Sequence, residues 1–429
     1  MMIEKAKKIP GLRTTYHFLW AWLGARIYKF PSKKIFVIGV TGTKGKTTTL
    51  ELLNAILEAA GKRTALLSSL RIKIGDESEK NPLGNSMPGR ARIQKFLARA
   101  VKKSCSYALI EVTSEGVVQH RHRFTDWNMG ILTNLAPEHI ESHGTFENYR
   151  KAKLDFLTYV LKKRGKVFLN RDDKSSDFFA AALRDAVKEA ETIPYSRGDE
   201  WLRNYLPKIK PMRAVSEGAT PKFLLGGFNE ENIAVAVAVA RELGIGDSVI
   251  EEALVTFKGV PGRMEFIKKG PYTAIVDYAH TPDSLLAAYR AAKPEPSANY
   301  EDPHLICVLG AAGGGRDRWK RPEMGKIAAE YCDEIILTDE DPYDEDPEEI
   351  IREVRSGILG GDPELANVYE ILDRREAIRK AVDLTRPGDI VIGTGKGSED
   401  WIHIARGKKV PWNERSVFEE ALAEKQKKI

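Results

Sequence analysis

Short apolar runs alternate with longer amphipathic stretches along most of this chain. The apolar runs lie at 35–38, Thr64–Leu67, 107–112, Met129–Leu132, 167–170, 273–276, 304–309, Glu334–Leu337 and 390–392. Runs of this length, bounded by polar residues, are typical of buried strands. Between them, stretches such as 46–57, 92–101, 146–157 and 233–243 place apolar residues three and four positions apart, which predicts helices. The alternation predicts an α/β fold with mostly parallel sheets, whereas the polar stretch 76–88 is predicted to be a surface loop.

The segment that joins the first strand to the first helix is rich in glycine. It reads Gly-Val-Thr-Gly-Thr-Lys-Gly over residues 39–45 and is followed by Lys46 and Thr47. Glycines let backbone amides turn towards phosphate oxygens, and the helix N-terminus adds partial positive charge. Lys46 can then neutralise the phosphates, and the Thr47 hydroxyl can reach Mg²⁺. The strict P-loop spacing asks for glycine at position 40, where this chain has Val40, so the match is a variant.

Further polar groups follow the predicted strands. Glu111 ends one strand and His139 comes shortly after another, so we expect both at the strand edge where a Mg²⁺ site belongs. On the helix after residue 145, Tyr149, Lys153 and Phe156 share one face, which places a lysine on the buried side. The residues alone favour snorkelling of Lys153 towards water over carbamylation, which would make it an anion able to hold a cation.

Composition narrows the class of protein. The 429 residues carry a net charge of +6 that is spread along the chain, so two or three ordinary domains are expected and nucleic-acid binding gains no support. Cys105, Cys307 and Cys332 lack metal-site spacing, which predicts buried thiols in a reducing cytoplasm. The glycine- and proline-rich stretch 258–265 predicts a boundary, giving domains at 1–33, 34–262 and 263–429.

The segment 16–28 is aromatic and apolar and has lysines and arginines on both sides. It is too short to span a bilayer. We expect a helix that packs against the first domain, with peripheral contact to a membrane surface through Trp20 and Trp22 as the alternative.

Several segments resemble the Mur ligase family, the ATP-dependent amide ligases that build the peptidoglycan stem peptide, and are most similar to its MurE group. The resemblance runs from about residue 37 to 401. It rests on the P-loop sequence Gly-Thr-Lys-Gly-Lys-Thr and on the segments 111–121, 133–144, 228–232, 259–265, 277–282, 310–322 and 395–399. It implies a central ATP-binding domain followed by a Rossmann-like domain that binds the incoming amino acid.

The resemblance also implies a role for individual residues. The implied catalytic residues are Lys46, Lys153, Glu111, His139 and Arg263. The implied nucleotide contacts are Gly42, Thr43, Lys44, Gly45, Lys46, Thr47, Thr48, Asn134, Asn232, Arg263, Asp277 and His280. The implied Mg²⁺ ligands are Thr47, Glu111, His139 and Lys153, the last as a carbamate. The implied substrate contacts are Ser86, Thr113, Ser114, Gln119, Arg121, Arg316, Asp341, Tyr343, Gly395 and Glu399.

The chain departs from the MurE pattern at two places that bear on its substrates. Enzymes specific for diaminopimelate read Asp-Asn-Pro-Arg where residues 340–343 read Glu-Asp-Pro-Tyr. An acidic Asp341 beside a neutral Tyr343 favours lysine or another basic amino acid. About 33 residues precede the P-loop strand, where MurE enzymes carry a uridine-binding domain, so the muramyl-peptide acceptor is expected to be nucleotide- or lipid-linked.

We therefore expect a monomeric cytoplasmic ligase that uses ATP and Mg²⁺ to join a free amino acid to a muramyl-dipeptide through an acyl phosphate. Two alternatives stay open at this point. One is a Mur-type ligase acting on another acyl acceptor, as folylpolyglutamate synthase and cyanophycin synthetase do. The other is a P-loop NTPase without ligase activity, which would hydrolyse nucleotide in the absence of any amino acid.

Overall fold

A computed structural model describes residues 10–82, 86–89, 91–138, 140–209, 226–296, 298–358 and 367–427. The chain forms two compact units. The first comprises Met1–Pro207 and Phe228–Phe257, and the second Lys208–Gly227 and Lys258–Ile429. The units change at Phe257, five residues before the boundary expected from the glycine-rich stretch, and the limits of the functional domains stay a prediction.

The first unit is built on an eight-stranded sheet with the order β4-β3-β2-β5-β1-β6-β7-β8. Its strands are β1 Phe36–Thr41, β2 Thr64–Leu67, β3 Arg71–Ile74, β4 Glu77–Lys80, β5 Tyr107–Glu111, β6 Met129–Leu132, β7 Lys166–Asn170 and β8 Thr192–Tyr195. All neighbours are parallel except for the antiparallel pairs β2–β3 and β3–β4. The central strand β1 is buried along nearly its whole length, as its continuous apolar sequence predicts.

Helices follow most of these strands. They are α1 Pro10–Ile27, α2 Lys46–Ala59, α3 Arg92–Lys102, α4 Ser114–Val118, α5 Ile140–His143, α6 Phe146–Lys162, α7 Ser176–Ala186, α8 Glu200–Arg203, α9 Leu206–Ile209, α10 Gly227–Glu242 and α11 Asp247–Thr256. The aromatic segment 16–28 lies largely within α1. Helix α10 begins six residues before the predicted start at residue 233, so Asn229 and Asn232 lie inside it.

The second unit contains a six-stranded sheet with the order β13-β12-β11-β14-β10-β9. Its elements are β9 Glu265–Lys269, β10 Tyr272–Val276, α12 Pro282–Ala292, β11 Leu305–Leu309, α13 Lys320–Tyr331, β12 Glu334–Leu337, α14 Pro347–Ile358, β13 Val368–Glu370, α15 Arg374–Leu384, β14 Ile390–Gly393, the hairpin β15 Trp401–Ile404 and β16 Lys408–Pro411, and α16 Glu414–Lys427. All neighbours in the six-stranded sheet are parallel except β9–β10. The α/β fold predicted from the sequence, with a large mostly parallel sheet and a second sheet, is confirmed.

Two expectations were wrong. The stretch 76–88 is not all loop, because Glu77–Lys80 forms the edge strand β4. Its four side chains are all polar and exposed, so the strand lacks the alternation that would have indicated it. Cys307 and Cys332 form a disulfide instead of two thiols, since β11 and the end of α13 bring their Cα atoms to 6.0 Å. Cys105 is a buried free thiol, as expected.

The described part of the chain contains no helix that is both long and apolar enough to cross a membrane.

Candidate active site

The loop between β1 and α2 curls around the start of the helix, and two of its glycines are required there. Gly42 has φ +149° and Gly45 has φ +83°. A Cβ on Gly42 would lie 1.8 Å from Oγ1 of Thr133, and one on Gly45 would lie 2.2 Å from Oδ1 of Asn232. Only glycine fits such approaches at positive φ. The backbone amides at the start of α2 form the cradle that the sequence predicts for phosphate.

The end of the neighbouring strand β6 holds this loop in place. The backbone nitrogen of Lys44 donates to Oδ1 of Asn134 (2.8 Å), and that of Thr43 donates to the Asn134 carbonyl (3.0 Å). Thr133 Oγ1 donates to the Lys44 carbonyl (2.6 Å), and the Lys44 ammonium pairs with Glu138 at 2.8 Å. Four contacts from one strand end therefore fix the loop before any ligand is bound.

Oxygen ligands suited to Mg²⁺ converge beside α2. Thr47 Oγ1 donates to Oε2 of Glu111 (3.0 Å), and the same oxygen accepts from the backbone nitrogen (3.1 Å) and Oγ (3.3 Å) of Ser69. His139 lies outside the described residues. Among the residues that are described, no group of three or more His, Cys, Asp or Glu side chains could hold a metal. A hydroxyl and a carboxylate fit Mg²⁺, because this ion keeps several waters and takes its other ligands from phosphates.

Lys153 lies on the inner face of α6, where the helix pattern predicts it. Its side chain is 1% exposed, as is that of Tyr149, and Phe156 is fully buried. Its Nζ donates to the Gly42 carbonyl at 2.8 Å and sits 4.4 Å from the centre of the Tyr149 ring. Burial and the nearby positive charge of Lys46 lower the pKa of Lys153 well below its ordinary value, although Glu138 opposes the shift. The amine therefore does not snorkel to water, and its surroundings disfavour the charged form.

The Nζ of Lys46 donates to two carbonyls of the loop itself, those of Gly42 (3.1 Å) and Thr43 (2.8 Å). Lys46 and Lys153 thus share the Gly42 oxygen.

Asn232 Oδ1 accepts from Thr49 Oγ1 (3.3 Å) of α2, and its Nδ2 donates to Asn229 Oδ1 (3.2 Å). The neighbouring Thr48 is buried in the first turn of α2.

The five predicted acceptor contacts of the first unit fall into two groups. Thr113 caps α4 through a bond from the Gly116 nitrogen (3.1 Å), and Ser114 Oγ lies 3.0 Å from Nε2 of His143. Arg121 donates to Gln119 Oε1 (2.6 Å) and to the Met87 carbonyl, directly after the buried Ser86. The arginine therefore joins the chain after α4 to the segment at Ser86.

In the second unit, Asp277 and its neighbours lie at the end of β10. The Asp277 carboxylate accepts from the backbone nitrogens of Met264 (2.7 Å) and Ala279 (2.8 Å). The Arg263 guanidinium lies 4.2 Å from the centre of the Tyr278 ring. His280 Nδ1 is 2.7 Å from the Tyr278 carbonyl, so the turn after β10 holds Asp277 and His280, two of the three nucleotide contacts predicted in this unit.

A buried lysine joins two of the predicted substrate residues. Lys396 is 0% exposed, and its Nζ donates to Asp341 Oδ1 (2.9 Å) and Glu399 Oε2 (2.6 Å). Burial lowers the pKa of Lys396, but the Glu399 and Asp341 carboxylates outweigh it and raise that pKa overall. Glu399 also accepts from the Tyr278 hydroxyl (3.1 Å). The lysine stays charged and holds two carboxylates in one place.

A third carboxyl group borders this cluster. Glu340 is 4% exposed, its Oε2 has no hydrogen-bond partner among the described residues, and burial raises its pKa to about 7. A Cβ on Gly395 would lie 2.3 Å from that oxygen.

Tyr343 stacks on His403 with ring centres 5.0 Å apart. The exposed Arg316 interacts electrostatically with Tyr343 and Glu340.

Sequence reasoning missed several members of these clusters. They are Ser69, Glu138, Glu340, Tyr278 and Lys396. Ser69 could have been found, since it follows β2 at the same edge of the sheet as Glu111. The pairing of Lys396 with Asp341 could not, because the two residues are 55 positions apart in the sequence.

Comparison with known proteins agrees with this arrangement. Residues 40–240 match the family described as Mur ligase middle domain, and residues 262–397 match the family described as Mur ligase, glutamate ligase domain. The UDP-N-acetylmuramoyl-L-alanyl-D-glutamate--2,6-diaminopimelate ligase of Syntrophomonas wolfei is 35% identical over 95% of this chain and 82% of its own length. The ligase of the same name from Thermosynechococcus vestitus is 36% identical over 94% and 80%.

Solved structures show the same relationship. A UDP-N-acetylmuramoyl-L-alanyl-D-glutamate--2,6-diaminopimelate ligase superposes with a TM-score of 0.60 at 27% identity, covering 91% of this chain and 79% of that one. The folylpolyglutamate synthase of Mycobacterium tuberculosis, complexed with ADP and AMPPCP, gives a TM-score of 0.65 over 88% and 92%. At 15% identity, that likeness shows the fold alone.

Proposed function

The chain belongs to the Mur ligase family of ATP-dependent amide ligases, and on this basis we propose that it adds a basic amino acid to a muramyl-dipeptide in peptidoglycan synthesis. The acceptor follows from the relatives, whose name specifies UDP-N-acetylmuramoyl-L-alanyl-D-glutamate. The acceptor carboxylate takes the γ-phosphoryl group of ATP to give an acyl phosphate and ADP. The amine of the amino acid then attacks the acyl carbon, phosphate leaves, and an amide forms.

The observation that carries this proposal is the cluster around the Gly42 carbonyl. Phosphoryl transfer needs positioning and charge neutralisation more than covalent help. The loop amides and Lys46 would bind the phosphates, while Thr47 and Glu111 would hold Mg²⁺, as their 3.0 Å contact supports. Bound there, Mg²⁺ supplies positive charge to the phosphate oxygens. In the second unit, Arg263 and Asp277 are proposed as further nucleotide contacts.

We propose that Lys153 acts as a carbamate. The lowered pKa favours the neutral amine, whose lone pair on Nζ would attack CO₂ and release one proton to water. The product is an anion next to the positive charge of Lys46, so the two groups would attract each other. Lys153→Ala should lose nearly all activity, and formate or acetate should restore part of it by replacing the lost carboxylate. Activity unchanged by the substitution would contradict the carbamate.

The second unit supports binding of an amine. The carboxylates of Asp341 and Glu399 outnumber the single ammonium of Lys396 that they contact, which leaves excess negative charge for an incoming amino group. Asp341 is already paired with Lys396. We therefore assign the ammonium at the far end of the incoming amino acid's side chain to Glu340 together with Asp341. Tyr343 offers no cation for a distal carboxylate. These contacts favour lysine over diaminopimelate, and Arg316 is proposed to bind the α-carboxylate.

The decisive experiment measures phosphate release from ATP with each of the twenty amino acids and diaminopimelate, with and without UDP-MurNAc-L-Ala-D-Glu. We expect release only when acceptor and amino acid are both present, and most with lysine. Release without any amino acid would indicate an NTPase. Release with a folate acceptor in place of the muramyl-dipeptide would move the proposal to another acyl acceptor.

Amino-acid choice has its own matched pair of variants. Tyr343→Arg adds the missing cation and should raise the kcat/KM ratio of diaminopimelate to lysine by about tenfold or more. Tyr343→Phe keeps the ring stacked on His403 and adds no charge, so its ratio should stay near that of the natural chain. A natural chain that already prefers diaminopimelate would refute the lysine assignment and leave the ligase assignment intact.

A further inference from the structure

Helix α1 buries small side chains and exposes most of its large apolar ones, which is the reverse of an ordinary surface helix. Its small residues Gly24 and Ala25 are buried, and a Cβ on Gly24 would lie 2.4 Å from the Ala91 side chain. Phe18 packs edge-on against Phe124, whereas Leu19, Leu23 and Ile27 are exposed. A surface helix of a globular domain buries its large apolar residues instead.

Five of the exposed residues form one stripe. Tyr16 and Trp20, Leu19 and Leu23, and Leu23 and Ile27 are each four positions apart, which places the five residues on one face of the helix. Leu19 is 53% exposed, Leu23 40% and Ile27 58%. Among the described residues, seven of the thirteen exposed large hydrophobics lie on this helix, while the other six are scattered over both units. A continuous patch of this kind marks a binding surface.

Charge identifies the class of partner. No aspartate or glutamate occurs between residues 5 and 50, whereas eight lysines and arginines occur between residues 5 and 34. Arg26, Lys29, Lys33 and Lys34 are exposed at the end of α1 and just after it. Trp and Tyr favour the boundary between headgroups and acyl chains, and neighbouring basic residues are attracted to anionic lipids. An excess of one charge beside an apolar stripe favours an apolar surface of the opposite charge, as an anionic bilayer offers.

We propose that the outward face of α1, formed by Tyr16, Leu19, Trp20, Leu23 and Ile27, binds the surface of an anionic bilayer. The helix lies in the interface with these side chains among the acyl chains and with the basic residues at the headgroups. Contact is peripheral, since no described helix is able to span a membrane. The packing of α1 against the first unit and the contact with lipid are both present, on opposite faces of the helix.

The test is sedimentation of the full chain with vesicles of phosphatidylcholine alone and with vesicles containing phosphatidylglycerol. Binding should be much stronger with the anionic vesicles and should weaken as NaCl rises. The variant Leu19→Ser/Leu23→Ser should bind at least about tenfold more weakly. As a control, Trp401→Ser removes a side chain that is 43% exposed on β15 and should bind as the natural chain does.

Charge and oligomeric state complete the experiment. Lys29→Glu/Lys33→Glu should abolish the preference for anionic vesicles while leaving the melting temperature unchanged, because both side chains are exposed. Equal binding to both kinds of vesicle, or none to either, would overturn the proposal. So would a dimer in the absence of lipid that Leu19→Ser/Leu23→Ser converts to a monomer, since a second copy would then cover the face.

Discussion

Replacing Gly45 by alanine should damage the P-loop far more than the same change at Gly61. Both glycines flank α2 and both have positive φ, +83° and +71°. A Cβ on Gly61 would have no atom within 4 Å, whereas one on Gly45 would lie 2.2 Å from Oδ1 of Asn232. The pair therefore separates the cost of the backbone conformation from the cost of the contact.

The magnitudes follow from these distances. An alanine at positive φ costs about 1–2 kcal/mol, and this is the whole effect expected for Gly61→Ala. Gly45→Ala must also push away the amide of Asn232, which is 5% exposed and bonded to Thr49 and Asn229. Leaving such buried groups unpaired costs about 1–3 kcal/mol more. We expect a total loss of about 2–5 kcal/mol in the free energy of unfolding.

Guanidinium unfolding of both variants measures the stabilities, and phosphate release measures the ligase reaction. Gly61→Ala should keep its activity, and Gly45→Ala should lose most of it because the loop amides shift. Asn232→Ala combined with Gly45→Ala should cost less than the sum of the two single changes, since the clash is then absent. Equal destabilisation at positions 45 and 61, or additive costs in the double variant, would refute the reasoning.

Three further predictions concern buried groups. Lys153→Met should raise the free energy of unfolding at pH 7 although it abolishes activity, because folding then no longer disfavours the charged form of a buried amine. The gain in stability should shrink as pH approaches the ordinary lysine pKa of 10.5. Thermal melts from pH 7 to 10 would measure this gain, and a loss of stability that does not depend on pH would contradict the prediction. Glu340 takes up a proton on folding between pH 4.5 and about 7, so the protein loses stability as pH rises through that window. Glu340→Gln should remove this loss, which is about 3 kcal/mol at most. At pH 4 the variant and the natural chain should have the same free energy of unfolding. Reducing the bond between Cys307 and Cys332, which closes a separation of 25 residues, should cost about 3 kcal/mol, whereas a Cys307→Ala/Cys332→Ala variant should show no effect of reductant.

Much of the fold could be predicted because its central strands are largely apolar. Strand β1 is buried on both faces, and an uninterrupted apolar run with glycines after it leaves little choice. The meeting of Thr47 with Glu111 could be foreseen for the same reason, since carboxyl ends of parallel strands share one edge. Edge strands carry no such signal, and the exposed β4 consists of Glu, Ser, Glu and Lys.

Pairs that are distant in sequence were beyond reach. Lys396 could be identified only as part of a motif, and nothing in the sequence indicated that it would hold Asp341, 55 residues earlier. The same limit applied to the disulfide, whose cysteines lie on elements with no shared pattern. Neither an apolar period nor a turn signal encodes which polar side chains meet once two strands have taken their register.

The two lysines at Gly42 explain why the first unit accepts a destabilising group. Both amines donate to one carbonyl oxygen, Lys46 at 3.1 Å and Lys153 at 2.8 Å. Two positive charges on one oxygen repel each other, and this repulsion adds to burial in lowering the pKa of Lys153. When a triphosphate binds, Lys46 has a stronger partner than a loop carbonyl and can leave the oxygen to Lys153. This difference supports the proposal that Lys46 neutralises phosphate charge and that Lys153 forms the carbamate.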